Sequence, residues 1–313
     1  MKLARAMPIA TIPAMPSTPL RLAAVLSLVS LASLPSLFAA QPYPPKFEGA
    51  VVETYKTIGD VKLSLHIFES LSPTGRVALQ SRPAIVFFFG GGWTSGTPAQ
   101  FEQHCRALAA RGMVAITADY RVASRHQAKP TDCVSDAKSA LRYVRAHAAR
   151  LGIDPKRIAA GGGSAGGHLA AAIATVPGFD APSDDKKISA VPDALVLFNP
   201  ALVLAELDGL DLKGFGTQVS AERMDTDPKN LSPAHHVKKG TPPTIIFHGK
   251  ADTTVPYATV EKFTEVMKAA GNRCELVGYE GQPHGFFNKA KYAETLAATD
   301  AFLVSLGYLP AKK

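Results

Sequence analysis

The chain is poor in cysteine, tryptophan and charge, and it has no long hydrophobic run. Its three cysteines, Cys105, Cys133 and Cys274, are far apart and form no C-x-x-C pair, so neither a zinc site nor a disulfide framework is suggested and one bridge at most could form. Charged residues make up 19% and hydrophobic residues 46%, which describes an ordinary globular chain and excludes disordered, collagenous and multispan membrane compositions. The formal net charge is +8, but no Lys/Arg block and no basic run with interleaved aromatics accompanies it, so nucleic-acid binding has no support. Setting aside Lys2, Arg5 and Arg21 leaves only +5. The uncharged stretch Leu22 to Leu34 meets Pro35 after 13 residues, short of the roughly 20 that a spanning helix needs.

Basic residues, then that apolar stretch, then the small pair Ala39 and Ala40 give the order of a secretory signal peptide over residues 1–40. The expectation is an exported protein, secreted or periplasmic, with no stable membrane insertion after cleavage. Leu37 and Phe38 match the small-residue rule poorly, so the cut itself is not fixed. Residues 41–49, opening QPYPP, read as a linker, and 50–313 as one domain.

From about residue 50, short β-rich runs alternate with helical patterns, which predicts an α/β fold with a mostly parallel central sheet and helices on both faces. Runs at 50–58 and 61–69 flank Gly59-Asp60 and predict a hairpin. Further strands are expected at 84–89, 113–118, 157–160, 194–198, 244–247 and 275–279. Helices are expected near 98–111, 165–175, 256–270 and 291–306. Another is marked by Ala137, Leu141, Val144, Ala148 and Leu151 at steps of three and four, closed by Gly152. Residues 201–240 show no clear period and are the candidate for a short cap.

Gly162-Gly163-Ser164-Ala165-Gly166 matches G-x-S-x-G between an expected strand and an expected helix. Such an elbow lifts a serine hydroxyl from the sheet edge, and its glycines leave room for neighbouring backbone. A glycine-rich packing turn or a phosphate loop would look similar, but neither accounts for the acid and the histidine further along the chain. A serine hydroxyl needs a base and a group to orient that base, and after an elbow the order is acid, then histidine. Asp252 follows a strand in HGKADTTVP, and His284 follows another in GQPHGF, so both are expected at the edge that carries Ser164. His248 precedes the acid and is expected to pack the turn, with most activity surviving its loss. His168, one helical turn beyond Ser164, is expected to be structural, and His235 and His236 to lie in loops. An oxyanion needs preorganised N–H donors, expected from Ala165 and from Gly91 and Gly92 of the Gly90-Gly91-Gly92-Trp93 loop. Trp93 is expected in the pocket wall, against substrate, with simple packing of the loop as the alternative.

FFFGGGWTSGTPAQF, ADYRV, GGGSAGGHLA, HGKADTTVPY and GQPHGFFN together resemble the secreted carboxylesterase and acetyl xylan esterase branch of the α/β-hydrolases, near the hormone-sensitive-lipase-like and feruloyl-esterase-like groups. The resemblance covers residues 50 to 307 and implies ester hydrolysis through an acyl-enzyme with neither cofactor nor metal. Two positions depart from the hormone-sensitive-lipase-like pattern: Phe89 stands where histidine is usual, and Gly163 where an acidic residue usually precedes the serine. Export and a cap carrying Glu206, Asp208, Asp211, Lys213 and Gln218 favour short acyl esters, acetyl foremost, on a water-soluble target such as acetylated xylan. A small-molecule carboxylesterase or amidase is the alternative within the fold, and a catalytically silent carbohydrate-binding or interaction protein the alternative outside enzymes.

Overall fold

The computed structural model describes residues 43–69, 81–210, 212, 215 and 219–312. The expected leader and the cap residues Asp211, Lys213 and Gln218 lie outside these. Val51–Ile58 (β1) and Val61–Phe68 (β2) form the expected antiparallel hairpin, with Ile58 opposite Val61. β2 then runs antiparallel to Val114–Ala118 (β4), pairing Leu65 with Ala118 and Phe68 with Ala115. All remaining neighbours are parallel: Arg82–Phe88 (β3), Ile153–Gly163 (β5), Ala194–Phe198 (β6), Thr244–Gly249 (β7) and Cys274–Tyr279 (β8). The eight-stranded order is β1-β2-β4-β3-β5-β6-β7-β8, the mostly parallel sheet of the α/β-hydrolase fold.

Alternate side chains of a strand point to opposite faces, and here they feed two separate cores. Val86 and Phe88 of β3 join Ala137 and Leu141 of Pro130–Ala146 (α3), Leu169 of Ala165–Thr175 (α4) and Phe263 of Tyr257–Ala269 (α7). Ile85 and Phe87 join Cys105 and Leu108 of Glu102–Ala110 (α1) and Phe302 and Leu303 of Tyr292–Ser305 (α8). Burial of both faces is why β3 is an unbroken apolar run, each large side chain contributing about 1.5–3 kcal/mol over its exposed state. Three short helices, Ala123–His126 (α2), Ala221–Met224 (α5) and Pro228–Leu231 (α6), lie in connections, the last two within the expected cap.

Two elements differ from expectation. β5 begins at Ile153 because Arg82 pairs with Ile153 and Ala84 with Ile158, so a bulge absorbs the polar Asp154-Pro155-Lys156 segment that hides the strand start in the sequence. α3 runs from Pro130 to Ala146, so Ala148, Leu151 and Gly152 of the expected stripe lie past its end; Pro130 opens it because its missing N–H costs nothing in a first turn, and the Asp132 carboxylate accepts the Lys129 N–H at 3.0 Å. Cys105, Cys133 and Cys274 are all free and buried. Among the described residues no helix is long and apolar enough to cross a membrane.

Candidate active site

Ser164 sits between β5 and α4 at φ 53° and ψ −119°, a conformation that costs a non-glycine residue about 1–3 kcal/mol and survives only when its surroundings enforce it. They do so here. Its N–H donates to the Phe198 carbonyl at 2.9 Å and its own carbonyl accepts the His168 N–H at 2.9 Å. A Cβ on Gly166 would lie 2.0 Å from the Phe88 carbonyl oxygen, so the start of α4 meets β3 backbone to backbone only because that residue is glycine.

Asp252 follows β7 in an Asx-type turn, Oδ1 accepting the N–H groups of Thr254 at 2.8 Å and Val255 at 2.9 Å. His284 lies in the loop after β8 with Nδ1 at 2.7 Å from Asp252 Oδ2. The two loops can meet because Gly249 has no side chain: a Cβ there would stand 2.1 Å from the Gln282 carbonyl oxygen. Burial by itself would raise the Asp252 pKa, but hydrogen bonds from His248, His284 and the Val255 N–H outweigh it and hold the carboxyl well below the usual carboxylate range. A persistently ionised Asp252 fixes His284 with its proton on Nδ1, leaving Nε2 as the acceptor.

Ser164, Ala165, His284, Gly91, Gly92 and Trp93 all line one cavity of about 410 Å³, shared with Phe215, Val255 and Phe287. In the glycine loop the Gly90 N–H is taken by Gln100 Oε1 at 2.6 Å. Gly91 and Gly92 follow at φ 126° and 61°, and no acceptor among the described residues takes their N–H groups or that of Ala165. These three donors are the ones expected from the sequence for an oxyanion. Trp93 is only 4% exposed. Its Nε1–H donates to His168 Nδ1 at 3.2 Å, and the Arg223 guanidinium lies 5.7 Å over its ring, so little of the indole is open.

Both departures from the hormone-sensitive-lipase-like pattern have local causes. Phe89 stacks on Tyr120 at 4.1 Å, whose hydroxyl donates to the Phe89 carbonyl at 2.7 Å. The space beside Gly163 is filled by Phe287, with Cζ 2.6 Å from where a Cβ would stand. His168 bridges Trp93 and the Leu231 carbonyl, the latter at 2.8 Å, and so ties the glycine loop to the cap segment.

Three further site residues are not evident in the sequence. Buried Asn199, just past β6, accepts the Gly285 N–H on Oδ1 at 3.2 Å and places Nδ2 at 3.4 Å from His284 Nε2. Its only sequence signal is a polar residue ending the apolar strand ALVLF. Gln100 and Arg223 are the others, and Arg223 of α5 donates to the Gly92 carbonyl at 2.6 Å. His248 does more than pack a turn, for its Nε2 is 3.3 Å from Asp252 Oδ2. Among the described residues no group of three or more His, Cys, Asp or Glu could hold a metal ion. A hydroxyl and backbone N–H groups on one cavity, with an imidazole there that is paired to a buried carboxylate, can perform acyl transfer.

Comparison with known proteins agrees with this chemistry. The BD-FAE family model matches residues 74–267, and the dienelactone hydrolase family model matches residues 226–309. Esterase 2 of Thermogutta terrifontis, solved with propionate bound, is 52% identical with a TM-score of 0.80, over 87% of this chain and 100% of that one. The same esterase phosphorylated by paraoxon is 51% identical with a TM-score of 0.78, over 87% and 99%. Esterase LipC of Mycobacterium tuberculosis is 31% identical over 242 residues, 71% of this chain and 58% of LipC. The chain thus spans little more than half the length of LipC.

Proposed function

Given that the chain belongs to the BD-FAE family and is an α/β-hydrolase of the carboxylic ester hydrolase class, we propose that it cleaves short-chain acyl esters through an acyl-enzyme on Ser164. The observation that carries this reading is the common cavity of Ser164 and His284, with His284 Nδ1 2.7 Å from the Asp252 carboxylate. Ser164 Oγ attacks the ester carbonyl carbon while His284 Nε2 takes the hydroxyl proton. The carbonyl electrons move onto oxygen, where the N–H groups of Ala165 and of Gly91 or Gly92 receive the charge. Collapse breaks the bond to the alcohol, which leaves with the proton from His284. Water, deprotonated by the same nitrogen, then releases the acid and restores Ser164.

The cavity supports a short acyl group: about 410 Å³ must hold the reacting centre as well, and Phe215, Phe287 and Val255 close its sides. The related Thermogutta terrifontis esterase was solved with propionate, a short acid of this kind. We propose acetyl as the preferred group and, as the finer reading, a polysaccharide ester such as acetylated xylan met after export. Export rests on the Lys2, Arg5, Leu22 to Leu34 and Ala39-Ala40 order, and the polar target on exposed cap residues such as Asp208. The second reading, a small-molecule carboxylesterase, is favoured by one observation: Trp93 at 4% exposure offers little open aromatic face to a sugar ring. Nitrophenyl esters from acetyl to dodecanoyl, run beside acetylated xylan, separate these. Short esters cleaved fastest with acetate released from xylan supports the polysaccharide reading. Fast nitrophenyl acetate turnover without acetate release supports the small-molecule reading, and preference for long chains contradicts both.

A further inference from the structure

His248 is the penultimate residue of β7, four residues before Asp252, and its side chain is fully buried. Its Nε2 lies 2.9 Å from the Val255 carbonyl oxygen. A carbonyl can only accept, so Nε2 carries a proton. Nδ1 is buried with no partner among the described residues. An orphaned polar nitrogen in the interior is unfavourable, and a leucine of similar bulk would not have one. The polar ring is therefore explained by what its other nitrogen does.

That nitrogen is also 3.3 Å from Asp252 Oδ2, the same oxygen that receives His284 Nδ1 at 2.7 Å. The two carboxylate oxygens are held differently. Oδ1 is fixed by the N–H groups of Thr254 and Val255, both from the turn that Asp252 itself opens. Oδ2 is met by two imidazoles, one on the sheet and one on the loop that bears the base. Without the sheet-borne donor, the carboxylate could still hang from Oδ1 and swing Oδ2 away from the sheet, taking His284 with it. Tyr257, opening α7, packs edge-on against the His248 ring at 5.7 Å and 71°, so that ring is itself set from outside the turn.

We propose that His248 is a positioning residue, its Nε2–H shared between the Val255 carbonyl and Asp252 Oδ2 so that Oδ2 stays where His284 needs it. This rests on the reading of Ser164, Asp252 and His284 given above. The carboxylate matters most when His284 becomes an imidazolium in the transition state, so the loss falls on kcat and leaves KM nearly unchanged.

The test compares His248→Leu, which has no N–H, with His248→Gln, whose amide can donate from a similar reach. His248→Met serves if the leucine variant does not fold, because its flexible thioether fills irregular gaps. On nitrophenyl acetate the leucine or methionine variant loses about 10- to 100-fold in kcat, the range expected when a reacting group is misplaced by up to about 1 Å. The glutamine variant recovers most of that loss. The downfield proton resonance of the His284–Asp252 hydrogen bond shifts or broadens in the apolar variant and returns in the glutamine variant. Unaltered kcat and resonance in a folded apolar variant overturns the proposal, as does equal loss in apolar and glutamine variants, which marks a packing role. Paraoxon labelling of the wild type keeps the two readings apart: if Ser164 is not labelled, the nucleophile assignment fails, whereas labelling at Ser164 with indifferent His248 variants removes only the positioning role.

Discussion

Gly163→Ala places one methyl group against the wall of the site, and the structure sets its cost. The new Cβ would stand 2.6 Å from Phe287 Cζ and 3.2 Å from Cε1. Carbon atoms pack best at about 3.5–4.0 Å, so the ring must retreat by about 1 Å. Two other rings oppose that retreat. Phe287 is 1% exposed, stacked on Phe198 at 4.7 Å and on Phe101 at 5.7 Å. Gly163 is outside the left-handed region, so alanine brings no backbone penalty and the clash is isolated. Overpacking of this kind costs about 1–3 kcal/mol. At about 2–4 °C per kcal/mol for units of this size, thermal unfolding should fall by roughly 2–12 °C. Since Phe287 also lines the cavity, kcat/KM should fall with it. In a Phe287→Leu background the same substitution should cost less by at least about 0.5 kcal/mol, the coupling expected of touching residues. Melting followed by circular dichroism completes the cycle. An unchanged melting temperature for Gly163→Ala, or strict additivity in the double variant, refutes the clash and with it the reason given for glycine at this position.

Asp252→Asn should reduce kcat by about 10⁴-fold with the fold retained, because an amide cannot hold the imidazolium or its tautomer; loss under tenfold in stopped-flow assays would count against Asp252 as the acid. Because Asp252 is held well below the usual carboxylate range, it takes up no proton along the acid limb of log kcat/KM, whose slope should therefore not exceed one; a slope of two would contradict this. The depressed pKa also makes Asp252 stabilising above the unfolded carboxyl value of about 3.9, a contribution lost as pH falls below it. Acid unfolding of Asp252→Asn should therefore depend less on pH. Asn199→Ala removes the acceptor for the Gly285 N–H and should lower kcat/KM about 10-fold through a misplaced His284, with an unaffected variant disproving the brace. Arg223→Ala frees the Gly92 carbonyl and should lower kcat by less than the roughly 10²–10³-fold loss of a whole oxyanion donor; unaltered kcat would uncouple α5 from the glycine loop.

The sequence is most legible where chemistry restricts residue type. G-x-S-x-G, Asp252 after one strand and His284 after another stand out because an elbow, an acid and a base each need a particular residue at a strand end. The hairpin and the parallel sheet are equally visible, since strands buried on both faces have little choice but apolar runs. The start of β5 is not, because a bulge carries Asp154, Pro155 and Lys156 past the pairing strand and breaks the apolar pattern. Asn199 is invisible for another reason: its partners His284 and Gly285 are some 85 residues further along the chain and come within reach only once β6, β7 and β8 are paired. His248 illustrates the limit of chain order. Its place before the acid rules it out as the base, yet the contact with Asp252 Oδ2 appears only when the turn closes.

The central claim is that Ser164 forms the covalent acyl-enzyme, and stoichiometric phosphylation tests it most directly. Treated with paraoxon, the wild type should gain the mass of one diethylphosphoryl group, lose esterase activity in proportion to the label, and carry the group on the peptide containing Gly162-Gly163-Ser164-Ala165-Gly166. Ser164→Ala should take up no label and retain only the small residual rate that binding and the oxyanion donors provide. Label on another residue with parallel loss of activity, or a Ser164→Ala variant that hydrolyses nitrophenyl acetate as the wild type does, would contradict the account.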